Sequence, residues 1–156
     1  MDDLAIARAI HVLSVVHWIG GVAMVTAVIL PAVARLAEPA RRLALFEAIE
    51  NRFSTQAKVS VPLAGISGFY MTERLGAWDR FADPAFWWMH AMVLVWTLFM
   101  IVLFVAEPLF LHRWFRARMT AAPERTFAFV RRAHWILLAL ALATVAGAVL
   151  GVHGVF

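Results

Sequence analysis

The chain has 156 residues, 63% of them hydrophobic and only 15% charged, with a mean hydropathy of +0.80. That balance excludes an ordinary soluble domain and places the protein in a membrane. Cysteine is absent, which removes disulfides, thiolate nucleophiles, iron–sulfur clusters and cysteine-bound zinc and leaves histidine and methionine as the soft or borderline metal ligands. The 14 lysines and arginines outnumber the 10 aspartates and glutamates. No basic patch is interleaved with stacking aromatics outside the apolar stretches, so this excess speaks of membrane orientation and not of nucleic acid.

Four stretches are long enough to cross about 30 Å of hydrocarbon at roughly 1.5 Å per residue. They are residues 9–30, 53–72, 85–106 and 133–152. The second is interrupted by Lys58 and carries Pro62, Gly65 and Gly68, which neighbouring helices and snorkelling accommodate. Ala32-Val33-Ala34 has the small residues of a signal cleavage site, but the apolar run before it is too long for a signal peptide, so a retained span is expected. The prediction is an all-α integral membrane four-helix bundle over 1–156, with no room for a separate soluble catalytic domain. Any chemistry must then sit among the helices.

The basic residues divide unevenly. Arg35, Arg41, Arg42, Arg52 and Lys58 follow the first span, and Arg113, Arg116, Arg118, Arg125, Arg131 and Arg132 lie between the third and fourth, leaving only Arg8, Arg74 and Arg80. The positive-inside rule puts both basic loops in the cytoplasm and both termini on the periplasmic side of a bacterial inner membrane. In the first basic loop, Leu43, Phe46, Ile49 and Phe53 recur at helical spacing against Arg41, Arg42, Glu47 and Glu50. This predicts an interfacial amphipathic helix over 40–52 with a structural role. Trp78, Phe81, Phe86, Trp87 and Trp88 read as an aromatic belt at the outer boundary. Ala64/Gly68 and Gly147/Gly151 would let helix backbones approach, and the same gaps could admit a flat cofactor.

An ionisable or metal-ligating side chain inside a bilayer is a functional-site hypothesis by default, so the six histidines matter. His11, His90 and His153 fall toward the outer side, while His112 and His134 fall at the cytoplasmic boundary, where imidazole is comfortable. His17 lies near mid-membrane. Six residues from His11, it is turned from it by roughly 240°, and it shares a stripe with Gly20, Gly21 and Met24, a face with room for a planar group. His11 shares its face with Ser14, Val15 and Trp18. For His17 and His90 the plain structural reading is a hydrogen bond to a neighbouring helix.

Two imidazoles on facing helices can take both axial positions of a haem iron. His11 and His90 meet the depth requirement, with His17 in reserve, and Met92 offers a thioether two residues beyond His90. The same atoms suit Cu(I), with Met89, His90 and Met92 joining a first-span histidine. Glu107, before Pro108, could relay protons, but the simpler expectation is an ion pair with a loop arginine.

The run His11-Val12-Leu13-Ser14-Val15-Val16-His17-Trp18-Ile19-Gly20-Gly21, in a span ending at proline, resembles the first helix of the copper-resistance D family of bacterial inner-membrane proteins. More distantly it is similar to the HemJ-type membrane protoporphyrinogen oxidases. Both share a histidine, a tryptophan seven residues later and a following glycine. The likeness continues in Pro62-Leu63-Ala64-Gly65-Ile66-Ser67-Gly68 and in Trp88-Met89-His90-Ala91-Met92. The oxidases carry a lysine where this chain has Met92, and that lysine and the first-helix histidine are implicated in their haem site. What the resemblance implies is a four-helix membrane protein handling haem b or copper, with His11 as the matching ligand. The leading expectation is therefore a haem b-binding redox protein with His11, His90, His17, Met92 and Trp18 around the cofactor and a quinone or porphyrin-like partner. Copper handling, or service as an accessory subunit of a larger complex or a homodimer, is the alternative.

Overall fold

The computed structural model describes residues 3–36 and 38–154, and among them the chain is helical, with no strand. Helix α1 runs Asp3–Ala34, α2 Pro39–Arg74, α3 Pro84–Leu111, α4 His112–Ala121 and α5 Pro123–Val152. Prolines stand at the start of α2, α3 and α5, where the missing N–H has no helical partner to lose. Among the described residues, α1, α3 and α5 are long and apolar enough to cross a membrane.

The amphipathic segment 40–52 and the apolar segment 53–72 are not separate elements, because both belong to the unbroken 36-residue α2. No glycine or proline falls between Arg41 and Val61 to end a helix, and Pro62 is tolerated inside it. Two helices contain π-helical stretches, Val25–Ile29 in α1 and Val102–Leu111 in α3. The second holds Pro108 and the first precedes Pro31. Proline removes one N–H and crowds the carbonyl four residues back, which a wider turn relieves.

α1 lies chiefly along α2 and α3 chiefly along α5, with lighter α1–α5 and α2–α3 contacts closing the ring. One core draws Trp18 and Val22 from α1, Val61 and Ala64 from α2, Phe99 and Leu103 from α3, and Leu138 and Ala141 from α5. A second layer, at the end carrying the basic loops, joins Leu30, Val33, Phe46, Phe115, Met119 and Phe127. Buried hydroxyls bond back to the carbonyl four residues earlier, as Thr26 does to Val22 at 2.7 Å and Thr144 to Leu140 at 2.8 Å.

The small residues are sockets for rings, which corrects the expectation of close backbones or a cofactor gap. A β-carbon on Gly147 would fall 2.5 Å from the Trp87 indole, one on Gly151 2.4 Å from Trp88, one on Gly65 2.4 Å from Trp96 and one on Gly21 2.0 Å from Phe53. Trp88 is consequently buried in the α3–α5 seam and not part of a boundary belt. Trp78 and Trp87 remain exposed.

Candidate functional site

Among the described histidine side chains, His11 is the one hydrogen-bonded to another helix. Its Nδ1 lies 2.8 Å from the Ala64 carbonyl oxygen and 3.3 Å from Ser67 Oγ. A carbonyl only accepts, so Nδ1 carries the hydrogen and donates it, which leaves Nε2 as a lone pair when the ring is neutral. The ring rests on Gly68, whose absent β-carbon would stand 3.2 Å from Cε1. In a helix, side chains tilt toward the N-terminus, so the residue four positions on covers a given carbonyl. With glycine at 68 the Ala64 carbonyl stays open to a second donor, and the motif Ala64-Gly65-Ile66-Ser67-Gly68 thereby presents a backbone acceptor to α1.

The other histidines are placed differently. His17 and His90 are both exposed on the outside of the helices, and among the described residues neither makes the hydrogen bond to a neighbouring helix that the plain structural reading would give it. His90 sits edge-on to Phe81 at 5.3 Å, and Phe81, Trp78, Phe69 and Trp96 continue as a chain of ring contacts back to α2 and α3. Among the described contacts none joins His11 to His90: His11 bonds to Ala64 and Ser67 of α2, and His90 meets Phe81. Met89 and Met92 are half-buried beside His90. His134 and His153 donate from Nδ1 to the carbonyls of Val130 and Val149, their own helical turns. The side chain of His112 lies outside the described residues.

Trp18 is 5% exposed, edge-on to Phe99 at 4.8 Å in the central core, and its indole N–H has no acceptor among the described residues. Its place is in the packing between α1 and α3. Gly20, on the His17 stripe, has nothing within 4 Å of a built β-carbon, so the face formed by His17, Gly20 and Met24 is open. The donor chemistry of His11 would suit a haem iron. The glycine gaps between helices are already filled by Phe53, Trp87, Trp88 and Trp96, so a porphyrin would have to bind along a helix face.

A polar cluster at the basic end gathers around Glu107. Glu107, 8% exposed, accepts from Ser54 Oγ and from Lys58 Nζ, both at 2.9 Å. A lysine of α2 thus stands where the sequence suggested a loop arginine. Glu50, one turn before Ser54, has its carboxyl raised to about 7, chiefly by burial and then by the charges of Glu107 and Glu47. Glu47 is held by Arg116 of α4 at 2.7 Å. The spacing of Glu50, Ser54 and Lys58 by four was the available signal, since it sets all three on one face of α2. Among the described residues, no group of three or more His, Asp or Glu side chains converges as a metal site.

Comparison of the chain with protein-family models, with curated proteins and with solved structures found no match.

Proposed function

We propose that this is a membrane redox protein that holds one b-type haem through His11 and exchanges electrons with a quinone or porphyrin-like partner. The observation that carries the reading is the bond from His11 Nδ1 to the Ala64 carbonyl. Metal-ligating histidines characteristically donate the second ring nitrogen to a carbonyl or carboxylate, which fixes the tautomer and makes the free nitrogen a better ligand. The haem would supply a one-electron couple. The chain's own part is to hold the imidazole rigidly between α1 and α2, with Ser67 as a second polar neighbour and Gly68 giving the ring its seat.

The same reading takes α1, α2, α3 and α5 as a four-span bundle with both termini in the periplasm of a bacterial inner membrane. The concentration of arginine in residues 35–52 and 113–132 supports that orientation. Neutralisation of Lys58 by Glu107 supports α2 as the fourth span. Kinship with the copper-resistance D proteins and, more distantly, the HemJ-type oxidases belongs to this proposal and rests on the first-helix motif.

The test is a visible spectrum of detergent-purified protein, oxidised and dithionite-reduced, with metal analysis. A Soret peak with sharp reduced α and β bands is expected, lost in His11→Ala and retained in His134→Ala. A colourless protein with stoichiometric copper would replace this reading by copper handling through Met89, His90 and Met92. A colourless, metal-free protein that co-purifies with larger partners would make it an accessory subunit.

A further inference from the structure

We infer that the seam between α1 and α2 binds a neutral quinone-type lipid, its head ring between His17 and Gln56 and its tail along Leu63 and Ile66. The inference deepens the redox reading above by naming a binding place for the partner. Two grooves along this seam meet at Leu63. One is lined by Ile6, Ile10, Leu63 and Ile66 and ends at Asp3 and Tyr70, while the other is lined by Leu13, Ser14, His17, Gln56 and Ser60. From Ile6 to His17 the seam is about 16 Å long at 1.5 Å per residue.

Its polarity is the informative feature. His17 stands near the middle of the 32-residue α1, and both His17 and Gln56 are exposed. Among the described residues neither side chain has a hydrogen-bond partner, whereas the nearby Ser60 hydroxyl turns back to the Gln56 carbonyl. Near mid-membrane, hydrocarbon offers the His17 imidazole nothing, and an unmet polar group there costs a few kcal/mol. The far end is already satisfied: Asp3 accepts from Tyr70 and from Arg74, both at 2.8 Å.

A phospholipid lies the wrong way round in this groove. Its phosphate would meet the Asp3 carboxylate and an arginine already paired, and its chain ends would lie against His17 and Gln56. A quinone reverses that arrangement, with carbonyl oxygens at one end of an apolar tail. His17 and Gln56 both carry N–H donors for those oxygens, and no Asp, Glu, Lys or Arg lines that end, which suits an uncharged head.

The test uses full-length protein in phosphatidylcholine nanodiscs, labelled with a photoreactive azido-decylbenzoquinone and mapped by mass spectrometry. Labelling is expected on peptides spanning 13–17 and 56–63, competed by excess decylubiquinone. It should fall at least fivefold in the His17→Leu/Gln56→Leu variant, and equally in Val59→Trp, which fills the groove from an exposed position and leaves both polar groups in place. Labelling that spreads over all lipid-facing helices without competition, or that survives both variants, overturns the inference. So does a disulfide-linked dimer of a Leu13→Cys variant, since the chain has no other cysteine and a second copy would then cover the seam. The Soret band of each sample is read in parallel. Competed labelling without a Soret band retains the groove and sinks the haem reading, and a Soret band without competed labelling does the reverse.

Discussion

The indole N–H of Trp96 reaches the backbone carbonyl of Val61 at 2.9 Å, and it can do so because the residue one turn further along α2, Gly65, has no side chain. His11 repeats the arrangement three residues on, donating to Ala64 above Gly68. Two helices are thus pinned to α2 by ring N–H groups bonding to carbonyls that glycine uncovers. In lipid, where apolar surfaces gain little by meeting, such polar pins and close ring packing supply much of the cohesion.

The two glycines should respond unequally. A β-carbon at Gly65 lies 2.4 Å from the Trp96 ring and forces the indole off its acceptor, so Gly65→Ala is expected to destabilise by about 1–3 kcal/mol. At Gly68 the nearest atom is His11 Cε1 at 3.2 Å, and a shift of a few tenths of an ångström suffices. Gly68→Ala should cost under about 1 kcal/mol. Thermal unfolding in one detergent compares them, and equal losses would show that Trp96 does not depend on Gly65.

Two buried indoles make a matched pair. Trp96→Phe removes a donor from a made hydrogen bond and should cost about 1–2 kcal/mol. Trp18→Phe removes an N–H that has no acceptor, so the lost packing is partly offset by relief of an unmet polar group. Denaturant titration should find Trp18→Phe the milder change.

Lys58→Met should destabilise by about 2–3 kcal/mol, because it leaves the Glu107 carboxylate buried without its cation. This figure lies below the usual range for broken buried pairs, since a third of the lysine side chain is exposed and Ser54 still donates to the carboxylate. Adding Glu107→Gln should recover most of the loss. A double variant no more stable than Lys58→Met would mean that the lysine is not what offsets the Glu107 charge.

Glu50 gives a pH dependence whose sign is set by its raised carboxyl, near 7 in the fold against 4.5 when unperturbed. Between those values the folded chain binds the proton and the unfolded chain does not, so stability falls as pH rises from about 4.5 through 7. Glu50→Gln should therefore raise the melting temperature at pH 8, by the equivalent of about 2–3 kcal/mol, and leave it little changed at pH 4. A gain of the same size at both pH values would show that the titration of Glu50 is not its source.

How much of this was legible beforehand follows from the range of each interaction. The long apolar runs read directly, because burying twenty consecutive residues in hydrocarbon depends on composition alone. Lys58 looked like an interruption because its partner, Glu107, is 49 residues away and on another helix. Gly65, Gly68, Gly147 and Gly151 were visible as small residues, but only packing shows that rings fill them. The partners of His11 and His90 depend on how each helix is rotated, which the weak amphipathicity of a membrane helix leaves undetermined. The join of 40–52 to 53–72 could have been read from the lack of any helix breaker between them.

At 1.5 Å per residue, α2 is about 54 Å long, α1 about 48 Å and α5 about 45 Å, against about 30 Å of hydrocarbon. The surplus of α2 lies in its charged first half, beside the layer of Phe46, Phe115, Met119 and Phe127. On the four-span reading that layer would meet water, where apolar contact is driven by solvent exclusion, while the core around Trp18 and Phe99 would lie in lipid and be held by fit. One continuous stack of helices would then obey two solvents, and urea should loosen its wet end while its dry end stands.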